Sequence, residues 1–393
     1  MHATLAPPLL AWLIALASLW KAISSAFGLR RIPILTTPAF DLTPPNNPAI
    51  TVIVPACNEQ DAIAACIQSL LAQDYPHLHI LAIDDRSTDQ TGAILDNLAA
   101  THPQPLTVLH ITTLPPGWLG KTHAMALAAR HALAVHAPEW LLFSDGDVLF
   151  HPQCIRRSLV AAQREQADHF VTLPTALIRS TSEGIVMGFL QVLGLWATRL
   201  WQVSNPKSRD AVGIGAFNLI RTSAYTQLGG FESLRMEILE DLTLARRVKQ
   251  AGLRQRCAFA PGYVSIHWAP GASGIIRTMT KNLFAIFRFH ASLLLLACAW
   301  LALFCIGPFA AVLWSPTRTP ALLCLLAIAS MYRTTGRFSG IPTWTFFTSP
   351  IAAALFIYSM LRSTLITLKN GGVEWRGTFY PLADLRNNTG KLL

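Results

Sequence analysis

The chain has 393 residues, of which 52% are hydrophobic and only 13% charged, a balance that excludes an ordinary water-soluble protein as the whole answer. Its net charge of +10 comes from 31 Lys plus Arg against 21 Asp plus Glu, but no basic run is interleaved with aromatic residues, so a nucleic-acid partner is not expected. The seven cysteines are dispersed without a CxxC pair, which argues against a disulfide framework and against a zinc site.

Leu5–Leu29 is almost continuously apolar, interrupted by Lys21, and is long enough to cross a hydrocarbon core of ~30 Å as a helix. A cleaved signal peptide would carry its basic residues before the apolar run. Here Arg30 and Arg31 follow it, which favours an uncleaved anchor over residues 1–30 with the next domain on the cytoplasmic side of the cell membrane. A proline-rich linker, 31–48, leads into residues 49–270, whose composition is that of a globular domain.

Within 49–270, the β-branched run Thr51–Pro55 reads as a buried strand. Ile63, Cys66, Ile67, Leu70 and Leu71 have helical spacing, and His79–Ile83 is a second strand ending in Asp84-Asp85. Strand, helix and strand in so short a stretch form a βαβ unit with parallel strands. The pattern recurs as a strand over 106–111, a helix over 123–135 and a strand over 140–144 that runs into Asp145-Gly146-Asp147. The expected fold class is α/β with a mostly parallel, Rossmann-like sheet, and ligands of such sheets bind beyond the carboxyl ends of the strands, where both acidic clusters fall.

Ile185–Trp196 is apolar around most of its circumference, but Gln191, Arg199 and the Ser-Asn-Pro that follows mark it as a core or membrane-surface helix rather than a span. Residues 271–290 are basic and aromatic, suited to lying in the interface. Region 291–368 holds the apolar segments Leu293–Trp314, Ala321–Met331 and Ile351–Thr367, the middle one short, so two or three spans are expected before the tail 369–393. Arg277, Lys281, Arg288, Arg333, Arg337 and Lys369 flank these segments, as juxtamembrane charge beside anionic lipid does. The membrane reading is therefore multi-pass.

Several residues have the chemistry of a site. Asp84 and Asp85 are adjacent acids at a strand end, whose repulsion must be offset by a ligand, a cation or solvent. Ser87, Thr88 and Asp89, which follow them, read as helix caps. Asp145 and Asp147, spaced i, i+2 about a glycine, supply hard oxygen ligands suited to Mg²⁺ or Mn²⁺, which in turn binds a diphosphate. Glu240 and Asp241 open a helix that ends near Gly252; such acids favour the helix dipole, and one aimed into a cleft can act as a general base. Gly117–Thr122 is not a phosphate loop, because Pro115 stands where the first glycine is required, yet Lys121 remains available to neutralise phosphate. Asn387-Asn388-Thr389 matches a glycosylation sequon, which is uninformative if the tail is cytoplasmic.

In order, the elements VIVPACNE, IDDRSTDQT, GWLGKTHA, FSDGDV, GIGAFNLIRTSAY and ILEDLTLARRVKQAG over roughly 49–270 resemble those of the family 2 glycosyltransferases with the GT-A fold. The flanking spans and GWLGK look like the membrane-bound branch that contains ceramide glucosyltransferase-like and hopanoid-associated enzymes. The resemblance implies a nucleotide-sugar donor held by Pro55, Glu59, Asp84, Asp85, Lys121 and Asp145, with Asp84 and Asp85 toward base and ribose. It also implies a metal ion on Asp145 and Asp147, Asp241 as catalytic base, and inversion in a single displacement. Membrane-bound relatives carry a [QR]xxRW motif before the second membrane region. The nearest stretch, Gly274–Thr278, offers Arg277 without the Gln and Trp, which speaks against a processive polysaccharide synthase. Glu374-Trp375-Arg376-Gly377-Thr378 is a candidate replacement, so Arg277, Trp375 and Arg376, with Glu240, are the candidate acceptor-side residues. The expected activity is hexose transfer to a lipid or lipid-linked hydroxyl. The rivals are a polymer synthase and a non-catalytic nucleotide-sugar-binding scaffold; a transporter is disfavoured because the expected spans contain no acid.

Overall fold

The computed structural model describes residues 6–388, so Thr389 of the sequon lies outside the described residues. The chain divides into an α/β unit, formed by Ile32–Leu177, Gln202–His267 and Glu374–Leu393, and a helical unit, formed by Met1–Arg31, Ile178–Trp201 and Trp268–Val373.

The α/β unit is built on β1 (Ile50–Ala56), β2 (Leu78–Asp85), β3 (Leu106–Ile111), β4 (Trp140–Phe143), β6 (His169–Leu173), β8 (Asn218–Arg221) and β9 (Gln255–Phe259), in the order β3-β2-β1-β4-β8-β6-β9. The first four are mutually parallel, β8 runs antiparallel to both its neighbours, and β9 is parallel to β6. The central strands are apolar on consecutive residues because both faces of the sheet are covered. Val52 and Val54 of β1 pack with Ile63, Cys66, Ile67 and Leu70 of α2 (Ile63–Leu71), whereas Ile53 faces the alanine-rich α4 (Gly120–Val135). Helix α3 (Thr91–Thr101) links β2 to β3, and α5 (Cys154–Arg164), α7 (Thr222–Gln227) and α8 (Glu240–Gln250) complete the layers. Gly252, at φ +73°, takes the left-handed position just past the end of α8.

A second sheet of β5 (Val148–Phe150), β10 (Val264–Ile266) and β7 (Thr175–Ala176) has β10 at its centre. The Asp145-Gly146-Asp147 turn thus joins β4 of the large sheet to β5 of the small one. After the last apolar helix, β11 (Gly372–Trp375) and β12 (Thr378–Pro381) form a hairpin, followed by α14 (Leu382–Asn388). Its two-residue loop, Arg376-Gly377, has φ +51° and +73°, as a type I′ turn requires.

The helical unit comprises α1 (Ala6–Gly28), α6 (Thr181–Ala197), α9 (Gly271–Ile286), α10 (Ala291–Leu301), α11 (Gly307–Ala311), α12 (Ser315–Ser339) and α13 (Ser349–Asn370). A π-helical turn, Ala302–Ile306, joins α10 to α11. Helix α1 packs along α12 and α9 along α13. Among the described residues, three helical segments are long and apolar enough to cross a membrane: Ala6–Arg31, Ala291–Ala311 and Thr343–Asn370. Their outward side chains, such as Leu9, Leu13, Leu16, Trp20, Leu296, Ile351 and Leu365, are exposed apolar groups, a surface that water does not favour. Ala321–Met331 is the middle of the longer α12, which carries Arg318, Arg333 and Arg337 and is not one of the three.

Two polar features organise this unit. Ser180 caps α6 by accepting the Glu183 N–H at 3.3 Å, while the buried Glu183 carboxylate accepts from the backbone N–H of Arg179 at 2.7 Å and of Gly271 at 2.8 Å, tying the start of α6 to that of α9. Lys21 extends over the rings of Trp196 and Trp201, at 5.9 and 5.6 Å from their centroids, so the charge within α1 is met by aromatic faces.

Candidate active site

The carboxyl ends of β1, β2 and β4 come out at one edge because the strands are parallel and in close register: Ala56 pairs with Asp84, and Ile53 with Phe143. The loops after β1 and β2 are laced together. Asn58, in the left-handed region at φ +56°, donates its N–H to Ser87 Oγ at 3.0 Å and accepts the Thr88 N–H on its side chain at 2.8 Å. Glu59 N–H donates to Thr91 Oγ1 at 2.8 Å, and Gln60 N–H to Asp89 Oδ2 at 3.2 Å. Residues read from sequence as helix caps therefore hold the Asn58–Gln60 loop across from Asp84 and Asp85.

Lys121, in the first turn of α4, is the centre of charge. Its Nζ lies 2.6 Å from Asp145 Oδ1 and 2.7 Å from Glu240 Oε1. Burial works against the ammonium, but Asp145, Glu240 and Asp241 together outweigh it and hold the group charged. Two acids remain less well compensated. Asp147 is pushed up to about 7 by burial and then by Asp145 and Glu59, and its Oδ1 is buried with no hydrogen-bond partner. Asp241 is likewise pushed up to about 7, by burial and by Glu240, against the pull of Lys121. Its Oδ1 accepts only its neighbour's N–H, from Leu242 at 2.7 Å, among the hydrogen bonds described for it.

The glycines of GIGAFN explain how the acids converge. A Cβ at Gly213 would overlap the backbone carbonyl of Asp241, which leaves no room for any other residue, and one at Gly215 would displace the Asp145 carboxylate, so the 213–215 segment passes close to both. Gly146, between the acids of the DGD turn, is less confined: a Cβ there would come 3.2 Å from Ile63 Cδ1.

Asp84 and Asp85 have different partners. Asp85 is held by Arg86, whose Nε and Nη2 donate to its two oxygens at 2.8 and 3.1 Å. Asp84 accepts from the Ser87 N–H at 3.3 Å, and its Oδ2 is 3.1 Å from His110 Nδ1. The β11–β12 hairpin closes on the same edge. Arg376 pairs with Glu59 and donates to the Asn58 carbonyl at 3.3 Å, Arg86 donates to Thr378 Oγ1 at 3.2 Å, and Gly120 N–H donates to Tyr380 Oη at 3.1 Å.

Of the residues singled out from sequence, Pro55, Glu59, Asp84, Asp85, Lys121, Asp145, Asp147, Glu240, Asp241, Trp375 and Arg376 all belong to the α/β unit, while Arg277 stands on α9 of the helical unit. Trp118 of GWLGK is a core residue, with the Arg235 guanidinium 4.8 Å from its ring. Sequence reading passed over Arg86, His110, Gly213, Gly215 and Tyr380. The paired glycines and Arg86, which is the immediate neighbour of the Asp85 it holds, left a local signal; His110 and Tyr380 are chosen by contacts distant along the chain.

This is a GT-A-type α/β fold with an acidic cluster at the carboxyl edge of its parallel strands. The description "Glycosyltransferase like family 2" fits residues 46–288, more than half of the chain, and the chain belongs to that family. It is accordingly a glycosyltransferase with a nucleotide-sugar-binding fold. It is 23% identical over 362 residues to the 4,4'-diaponeurosporenoate glycosyltransferase of Staphylococcus aureus strain bovine RF122 / ET3-1, covering 86% of this chain and 90% of that protein. The protein of the same name from strain MRSA252 is 24% identical over 204 residues, 51% of each chain. Among solved structures, the mannosyltransferase PcManGT from Pyrobaculum calidifontis, in complex with GDP-Man and Mn²⁺, aligns over 88% of this chain and 99% of its own at 18% identity and a TM-score of 0.49. S. aureus TarS 1–349 in complex with UDP-GlcNAc aligns over 85% and 96% at 14% identity and a TM-score of 0.41.

Proposed function

We propose that the protein is an inverting, membrane-anchored hexosyltransferase that moves a sugar from a nucleotide diphosphate donor, a UDP-sugar, to the hydroxyl of a lipid or lipid-linked acceptor at the cytoplasmic membrane face. The observation that carries this reading is the meeting of Lys121, Asp145, Glu240 and Asp241 where the parallel strands end, with Asp241 tuned near neutrality. The name of the S. aureus relative, which acts on diaponeurosporenoate, supports a lipid-related acceptor, as do the three apolar helical segments. The GWLGK element supports the ceramide glucosyltransferase-like and hopanoid-associated branch within the family.

In this mechanism Asp84 and Asp85 hold the base and ribose, with Pro55 and Glu59 beside them. Asp241 takes the proton from the acceptor hydroxyl, whose oxygen forms the new bond to the anomeric carbon as the bond to the diphosphate breaks; the nucleoside diphosphate leaves with the electron pair. A base of pKa near the working pH suits that step. Lys121 offers fixed positive charge to the departing diphosphate.

The residues also fit a divalent cation. Asp147 Oδ1 is buried without a hydrogen-bond partner, Asp145 is next but one, and both are hard oxygen donors; with only two carboxylates, Mg²⁺ or Mn²⁺ would take its other ligands from phosphate and water. Such a cation, when bound, neutralises charge on the diphosphate.

The test is a panel of nucleotide sugars supplied to membranes containing the full chain, followed by lipid extraction and mass analysis. A lipid gaining one hexose, absent with Asp241→Asn, is the expected product; long polymer, or no sugar transfer with any donor, overturns the reading.

A further inference from the structure

We infer that His110 is a positioning residue for the donor nucleotide, acting through Asp84; the inference rests on the placement of Asp84 in the donor site proposed above. His110 stands on the edge strand β3, paired in register with Asp84 of β2. Its Nδ1 lies 3.1 Å from Asp84 Oδ2 and its Nε2 lies 2.9 Å from Asp96 Oδ1 on α3. The other Asp84 oxygen takes the Ser87 N–H, so the carboxylate is held at both ends. Gly92 in the first turn of α3 makes room for this arrangement: a Cβ there would come 2.7 Å from Asp84 Oδ2 and 3.5 Å from His110 Cε1.

A carboxylate accepts hydrogen bonds and cannot donate them, and here both ring nitrogens of His110 face carboxylates. Only the imidazolium has an N–H for each. The titratable groups that face the ring are Asp84 from β2 and Asp96 from α3, and their hydrogen bonds, that of Asp96 first, raise its pKa above the ordinary histidine value against some burial. Below the raised value the ring donates to both acids. Above it a neutral ring has one N–H for two carboxylates, so only one of its two tautomers still donates to Asp84, and the orientation of that carboxylate is held less firmly. Donor recognition then weakens toward alkaline pH, while the chemical step at Asp241 does not depend on the ring.

Steady-state kinetics of the full chain in detergent, with the UDP-sugar that gives product in the panel and with UDP binding measured alongside, separates these roles. His110→Ala is expected to raise the donor KM about tenfold with kcat at saturating donor within about twofold. His110→Gln, which keeps one N–H donor, gives an intermediate KM without the alkaline rise. Asp96→Asn removes one of the two charges that hold the proton and moves the alkaline rise in KM to lower pH by about one unit. An unchanged KM in His110→Ala, a fall in kcat in its place, or an Asp96→Asn profile that superimposes on the wild type overturns the inference. Asp84→Asn is the control. If it leaves the donor KM unchanged, the donor-site reading itself is lost; if it raises KM while His110→Ala does not, only the role of His110 is lost.

Discussion

Lys121 and Asp145 form a 2.6 Å ion pair at the carboxyl edge of the parallel strands, and the same ammonium reaches Glu240 at 2.7 Å. One cation thus holds the DGD turn and the start of α8 together. Lys121→Ala leaves Asp145, Glu240 and Asp241 facing one another uncompensated, and removes the charge proposed to meet the departing diphosphate. Turnover should fall by about 10²–10³-fold, the usual cost of a lost donor at developing negative charge. Far-ultraviolet circular dichroism should stay unchanged; turnover within a factor of about three of wild type would remove Lys121 from the mechanism.

Asp241→Asn keeps the shape of the side chain and removes the proposed base. Transfer should drop by about 10²–10⁴-fold with UDP affinity retained, as titration calorimetry would read. In the wild type, activity should rise as pH passes upward through about 7, where Asp241 gives up its proton. Stability runs the other way. The folded-state pKa is raised, so between the ordinary 3.8 and about 7 the folded chain binds a proton that the unfolded chain does not, and stability falls as pH rises through that window. Asp241→Asn should therefore melt about 2–4 °C higher than wild type at pH 8, with the difference shrinking toward pH 4.

Removal of divalent cations with EDTA should abolish transfer, and Mn²⁺ or Mg²⁺ should restore it. Asp147→Asn should need at least about tenfold more Mn²⁺ for half-maximal rate, since it replaces one of the two carboxylates proposed to hold the ion. Full activity in EDTA would retire the cation from the reaction.

The strands and helices around the site were legible because each has a strong period and a clear stop. The strand expected over 106–111 is β3 to the residue, Asp84 and Asp85 are the last two residues of β2, and Asp145 and Asp147 follow the end of β4. The partners of those acids were not legible. His110 is separated from Asp84 by 26 positions, and Arg376 from Glu59 by 317, so no local pattern could select them. The glycine pair 213 and 215 was visible, but its reason was not, because it depends on a carboxylate and a carbonyl brought in from two other elements.

Gly215→Ala tests that reason directly. The added methyl overlaps the Asp145 carboxylate, which must shift from its present place beside Lys121, while the segment keeps its backbone conformation because Gly215 is not among the positive-φ positions. A soluble, folded protein with at least about tenfold lower turnover is expected. Wild-type rates would mean that the position of Asp145 is unimportant.

The hairpin makes a separate prediction. Arg376→Ala frees Glu59 and the Asn58 carbonyl and should raise the donor KM by about threefold to tenfold, whereas Trp375→Ala, if that ring meets the acceptor, should alter acceptor KM and leave donor KM alone. A Trp375→Ala protein unchanged in both acceptor KM and turnover rules out the acceptor role.

The return of the hairpin to Glu59, Arg86 and Gly120 also imposes a parity on the chain. Residues 202–267 and 374–388 belong to one α/β unit, so they stand on the same side of any bilayer that the apolar helices span. Were the apolar helices to span a bilayer, the chain between these two stretches would cross it an even number of times, a count that the two candidate segments Ala291–Ala311 and Thr343–Asn370 satisfy.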